Sequence, residues 1–94
     1  PVLPFISDSE EELERMIGVA KEFEADYIFV GALTLYGFGK ELYYRVLGRY
    51  FPEYLPKYEK LYLGRGEPTL SYRRKLETIS RRICMEKNVR YMII

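Results

Sequence analysis

"PVLPFISDSEEELERMIGVAKEFEADYIFVGALTLYG", residues 1–37, is the stretch on which the reading of the fold turns. Val2-Leu3-Pro4-Phe5-Ile6 is short and apolar, and Pro4 disfavours helix at Leu3 and suits the end of a strand. Ser7-Asp8-Ser9 then offers three candidate helix caps. Ser9 with Glu12 and Asp8 with Glu11 both have capping spacing, and an acidic first turn suits the helix dipole. Leu13, Met16, Ile17, Ala20 and Phe23 recur at helical spacing, so the pattern predicts an amphipathic helix over about 9–24. Tyr27 to Leu33 is a continuous apolar, β-rich run of the kind a parallel strand shows when both faces are covered. Strand, helix, strand with short joints is a βαβ unit, with parallel strands and a right-handed crossover.

Downstream, Gly37 and Gly39 break the chain. A second helix is expected from about Lys40 to Phe51, with Leu42, Tyr43, Val46, Leu47 and Tyr50 inward, and Pro52 stops it. Pro56 opens a short helix carrying Leu55, Tyr58, Leu61 and Tyr62. "LGRGEPT" (63–69) reads as a loop. Tyr72, Leu76, Ile79 and Ile83 define a helix of about 71–87 with Asn88 as its C-terminal cap, and Val89 to Ile94 reads as a last strand. The expectation is one α/β domain over residues 1–94: β-α-β, then helices and a short last strand. So narrow a parallel sheet leaves its edges open, which predicts further strands from the rest of a longer chain or from a partner. Pro1 in place of an initiator methionine fits a carboxyl-terminal section, although methionine removal before proline fits it too.

The 94 residues are 48% hydrophobic and 31% charged, a globular composition. No apolar run reaches the roughly 18–20 residues that span a bilayer, and no basic-then-apolar leader is present. A soluble, cytoplasmic protein without a membrane partner is therefore expected. A net charge of +1 gives no global drive towards nucleic acid. Cys84 is the single cysteine, which excludes an internal disulfide and a cysteine-rich metal site built by this chain alone. The absence of histidine removes Ser-His-Asp, Cys-His and HExxH chemistry from this segment. With no glutamine, Asn88 as the sole asparagine and dense opposite charges, the composition suits a thermophilic source.

Several local features have plain structural readings. Ser7 and Asp8 are first of all helix caps. Gly31 marks close backbone approach, by a helix or by a ligand. "YGFGKE" lacks phosphate-loop spacing. Cys84 sits beside the apolar stripe through Ile79 and Ile83 as a packing residue, and Tyr43, Tyr50, Tyr54 and Tyr58 are wall and core material. Arg73, Arg74, Lys75, Arg81 and Arg82 cluster on the last helix, with Arg65 in the preceding loop. Glu77 lies four residues from Arg73 and Arg81, and Glu86 four from Arg82, so this charge can pair locally as a solvated face. If Arg73, Arg74, Arg81 and Arg82 instead touch phosphates while tyrosines stack on bases, the chain is a small nucleic-acid-binding module. A third reading is an interaction domain that completes its sheet by self-association.

In order and wording, "PVLPFISDSEEELERMIGVAKEFEADYIFVGALTLYG" followed by "FPEYLPKYEKLY" resembles the latter part of a radical S-adenosylmethionine domain. The likeness is to the spore photoproduct lyase-like, DNA repair photolyase branch, and it extends over residues 1–62. It implies a partial (β/α) barrel, S-adenosylmethionine, and a [4Fe-4S] cluster held by a CxxxCxxC segment on the N-terminal remainder of the same protein. This chain, with Cys84 alone, would be inactive by itself and would complete the barrel on the adenosyl side. In the intact enzyme the cluster would donate an electron, the sulfonium would cleave, and a carbon radical would abstract hydrogen from a substrate, for which this branch of the family suggests nucleic acid. The resemblance puts Leu3 at the adenine-packing position and Asp8 at the acidic end of a G-x-I-x-G-x-x-E pattern, with Phe5 where that pattern has glycine. It has Gly31, Ala32 and Leu33 approach the adenine by backbone contacts, and it puts Tyr36 near the mouth as a candidate hydrogen-atom relay.

Overall fold

The computed structural model describes residues 1–92 and contains four α-helices. Helix α1, Glu10–Glu22, starts where Ser9 Oγ accepts the Glu12 N–H at 3.1 Å, and its first turn is acidic. It stops in a Schellman arrangement: Glu24 is left-handed (φ 57°), and the Glu24 and Ala25 N–H groups return to Lys21 and Ala20 carbonyls. Helix α2, Gly37–Tyr50, ends before Pro52, and a single 3₁₀ turn, Pro52–Tyr54, leads into α3, Leu55–Tyr62. Helix α4, Leu70–Glu86, ends in a second Schellman arrangement with Asn88 (φ 60°) as the left-handed residue. Asn88 is thus the predicted cap.

The expected parallel sheet, and with it the partial barrel, is not formed: 60% of the chain is helix and no sheet is present among the described residues. Two isolated parallel bridges stand in its place. Val2 N–H donates to the Gly31 carbonyl (2.8 Å) and Leu33 N–H to that of Val2 (3.0 Å). On the other side of the same segment, Ile28 N–H donates to Arg90 O (2.9 Å) and Met92 N–H to Ile28 O (2.8 Å). The order extended–helix–extended survives, and the segment 28–33 lies between two partners, but among the described residues no ladder grows from either bridge.

The reasons are local and chemical. Pro4 lacks an N–H, and Phe5 turns left-handed at φ 65°, so the first segment cannot continue past Leu3. Leu3 is then occupied by the turn that follows, its N–H held by Ser7 Oγ (2.8 Å) and its carbonyl by the Ile6 and Ser7 N–H groups. Tyrosine hydroxyls take carbonyls that a neighbouring strand would have used. Tyr58 donates to Pro4 O (2.7 Å), Tyr62 to Leu33 O (2.6 Å) and Tyr91 to Val30 O (3.2 Å). Of the predicted last strand only the bridge at Tyr91 is seen, and residues 93–94 lie outside the described residues.

Two cores result. Val2, Leu13, Ile17, Leu76, Ile83 and Cys84 bury the α1–α4 face against Ile28, Val30, Ala32 and Tyr91. Leu35, Leu47, Tyr58 and Tyr62 form the second, under α2 and α3. Burying each large aliphatic side chain is worth about 1.5–3 kcal/mol. Helix α2 commits only one side to this core: Leu47 is buried, whereas Leu42, Val46 and Tyr50, expected inward, form with Phe38 an exposed row at i, i+4 spacing. Among the described residues no helix is long and apolar enough to cross a membrane.

Candidate functional site

The residues singled out for cofactor contact fall into two places. Gly31 and Ala32 line a small cleft of about 140 Å³ together with Val30, Arg73, Leu76, Glu77 and Tyr91. Around Ala32 the backbone groups are used unevenly. Gly31 O and Leu33 N–H serve the bridge to Val2, and Leu33 O takes the Tyr62 hydroxyl. The Ala32 N–H and carbonyl have no hydrogen-bond partner among the described residues. Ala32 is only half-buried, so this extended donor–acceptor pair, unpartnered among the described residues, lies beside the cleft. Leu3 and Leu33 flank the Val2–Ala32 bridge, both half-buried. Gly31 leaves room for its neighbour: a Cβ there would stand 3.2 Å from Phe29 Cε1, a ring that is itself largely exposed.

Phe5 and Asp8 lie elsewhere, in a cleft of about 290 Å³ between the 5–8 turn and α4, lined also by Tyr72, Lys75, Leu76 and Ile79. Asp8 does not cap α1, a task left to Ser9. Its Oδ2 accepts the Tyr72 hydroxyl at 2.7 Å. Burial first, and then this hydrogen bond and the carboxylate's charge, push the Tyr72 phenol well above its ordinary range. Ser7, the other supposed cap, turns back to Leu3. No sequence signal linked Asp8 to Tyr72, because the two are 64 residues apart.

A second cluster that sequence reasoning reached only as wall material is the tyrosine group of α2 and α3. Tyr58 shares a 2.7 Å hydrogen bond with Tyr43 while donating to Pro4 O, and its ring stacks on Tyr62 (5.7 Å between centroids). Desolvation raises the Tyr58 and Tyr62 phenols far above their usual value, so both stay protonated donors. Tyr36, 65% exposed, lies over Gly66, where even a methyl group would collide with its ring.

The basic residues of α4 are mostly committed. Arg73 is 3.8 Å from Glu67 and donates to Pro68 O, and Arg81 pairs with Glu77 at 2.9 Å beneath the Tyr91 ring. Arg82 pairs with Glu10 and, at 3.6 Å, with Glu86. Arg74 has no ion pair among the described residues. Cys84 is fully buried in the α1–α4 core, its thiol pushed up by burial, and no group of metal-ligating side chains occurs among the described residues. Comparison with family models, with curated proteins and with solved structures finds no match for this chain.

Proposed function

We propose that this chain is one section of a radical S-adenosylmethionine protein of the photoproduct lyase-like branch and that it contributes the adenosyl-facing side. The observation that carries the reading is the N–H and carbonyl of Ala32, which have no hydrogen-bond partner among the described residues and form an amide edge beside a cleft and next to Gly31. An adenine ring offers a donor amino group beside a ring nitrogen acceptor, the complement of such an edge.

The cluster that the resemblance implies does not fit the donors present. It needs three thiolates, and Cys84 alone, buried in a packed core, cannot supply them. When bound elsewhere in the protein, such a cluster supplies the electron for sulfonium cleavage, and no step of that chemistry belongs to these residues. Their part is to hold and orient the adenosyl group. Further support is the surface left uncovered. A compact chain of this mass is expected to expose about 5,700 Å², whereas this one exposes 6744 Å². The excess of roughly 1,000 Å² is of the order that one side of a protein–protein contact buries. Polypeptide carrying the cluster would cover it.

The test has two parts. The reading frame upstream of Pro1 is expected to encode CxxxCxxC, and a stop codon or an authentic start there overturns the proposal. In the protein made from the whole frame, Gly31→Ala is expected to weaken S-adenosylmethionine binding tenfold or more by displacing the Phe29 ring, which lines the same cleft. Thermal stability should hold, because only the exposed Phe29 ring must yield. Unchanged affinity in equilibrium dialysis would remove the adenosyl role from this edge.

A further inference from the structure

The cleft between the 5–8 turn and α4 has a composition that the adenosyl reading does not use. Its apolar lining comes from Leu76, Ile79 and Phe5. Two opposite charges line it, the Asp8 carboxylate and the Lys75 ammonium. Neither is engaged by an ion pair among the described residues, although five such pairs occur elsewhere on the molecule. Asp8 is held in place rather than neutralised: the neutral Tyr72 hydroxyl fixes Oδ2, which leaves the charge and the second oxygen for another cation. Phe5 presents its ring here from a left-handed backbone (φ 65°), a conformation that a bulky residue adopts at a cost of about 1–2 kcal/mol. An edge contact to Tyr58 (5.7 Å) and a tilted contact to Tyr54 (6.2 Å) hold that ring.

We propose that this cleft binds a small zwitterion, an α-amino acid with an apolar side chain. Asp8 takes the ammonium, Lys75 the carboxylate, and Phe5, Leu76 and Ile79 the side chain. A volume of about 290 Å³ suits a ligand of that size. A purely anionic ligand would meet the Asp8 carboxylate, and a purely cationic one would meet Lys75; only a molecule carrying both charges satisfies both walls. The site stands apart from the Ala32 edge, since the two clefts share only Leu76 among their lining residues.

Titration calorimetry with L-phenylalanine, 3-phenylpropionate and phenethylamine tests the assignment on the protein made from the whole reading frame. L-phenylalanine is expected to bind, and each analogue lacking one charge to bind at least about tenfold more weakly, as loss of a charge-assisted hydrogen bond predicts. Asp8→Asn keeps an oxygen for the Tyr72 hydroxyl and so preserves the turn. It should abolish the preference for phenylalanine over 3-phenylpropionate. Lys75→Met, at an exposed position, should do the same for phenethylamine. Gly31→Ala should leave phenylalanine binding unchanged. Absence of binding, equal binding of all three probes, or indifference to both cleft variants would overturn the proposal.

Discussion

Tyr58 is fully buried, yet each role of its hydroxyl is filled: it donates to Pro4 O and shares a hydrogen bond with Tyr43. Because Pro4 is itself buried and its carbonyl has no partner from a strand, removing the hydroxyl strands an acceptor in the interior. Tyr58→Phe is expected to lower stability by about 1–3 kcal/mol, read from urea unfolding. Tyr44→Phe, whose hydroxyl makes no hydrogen bond among the described residues, should stay close to the parent. At this scale part of the chemistry was legible in the sequence. The Ser9–Glu12 spacing announced the cap that the structure shows, because both groups belong to one turn. Asp8 satisfied the same local rule and went to Tyr72 instead, since a phenol from α4 competes for the carboxylate and sequence spacing carries no information about it.

The helices follow their periodicity and their breakers. Helix α4 buries Leu76 and Ile83 with Tyr72 and Ile79 beside them, and the prolines at 52 and 56 mark where helices stop and start. The extended segments do not follow suit. Residues 27–33 have the composition of a buried strand, and side-chain hydroxyls arriving from α3 and from Tyr91 take the Leu33 and Val30 carbonyls that a strand partner would have paired. A hydropathy pattern reports burial and not the identity of the hydrogen-bonding partner, so strand and tyrosine-clamped segment look alike in sequence. The candidate site suffered the same loss: Gly31 and Ala32 share a cleft as neighbours in sequence do, whereas Phe5 and Asp8 turned away with the chain after Pro4. An element-level consequence lies at the end of α1, where Glu24 occupies a left-handed position (φ 57°) that glycine adopts without strain. Glu24→Gly is expected to stabilise the protein by about 0.5–1 kcal/mol, visible as a rise in the thermal midpoint.

Across the whole molecule the tyrosines tie the two cores to the extended segments, and their protonation governs behaviour in alkali. Tyr58, Tyr62 and Tyr72 all have phenols raised above the usual value, chiefly by burial. Above a pH of about 10 an unfolded chain releases these protons while the folded one retains them. The folded state then binds more protons than the unfolded state, so stability falls as pH rises. Their contribution is fully present below about pH 10 and is lost above it, by about 1.4 kcal/mol per pH unit for each tyrosine. Unfolding in urea at a series of alkaline pH values should give midpoints that fall in step with the appearance of tyrosinate absorbance. The outline is also extended, 38 × 24 × 21 Å with a radius of gyration of 14.4 Å, against about 12–13 Å for a compact chain near a hundred residues. That openness matches the exposed row on α2 and the bare ring of Phe29.

The central segment also dictates the order in which the chain can assemble. Its clasp on Tyr91 joins positions 61 residues apart, so the intervening loop must close before that contact forms, whereas helical turns need only near neighbours. Helices would therefore be present early, and the clasp would be the last thing to shut on refolding. Amide exchange at Ile28 and Met92 should report that final closure.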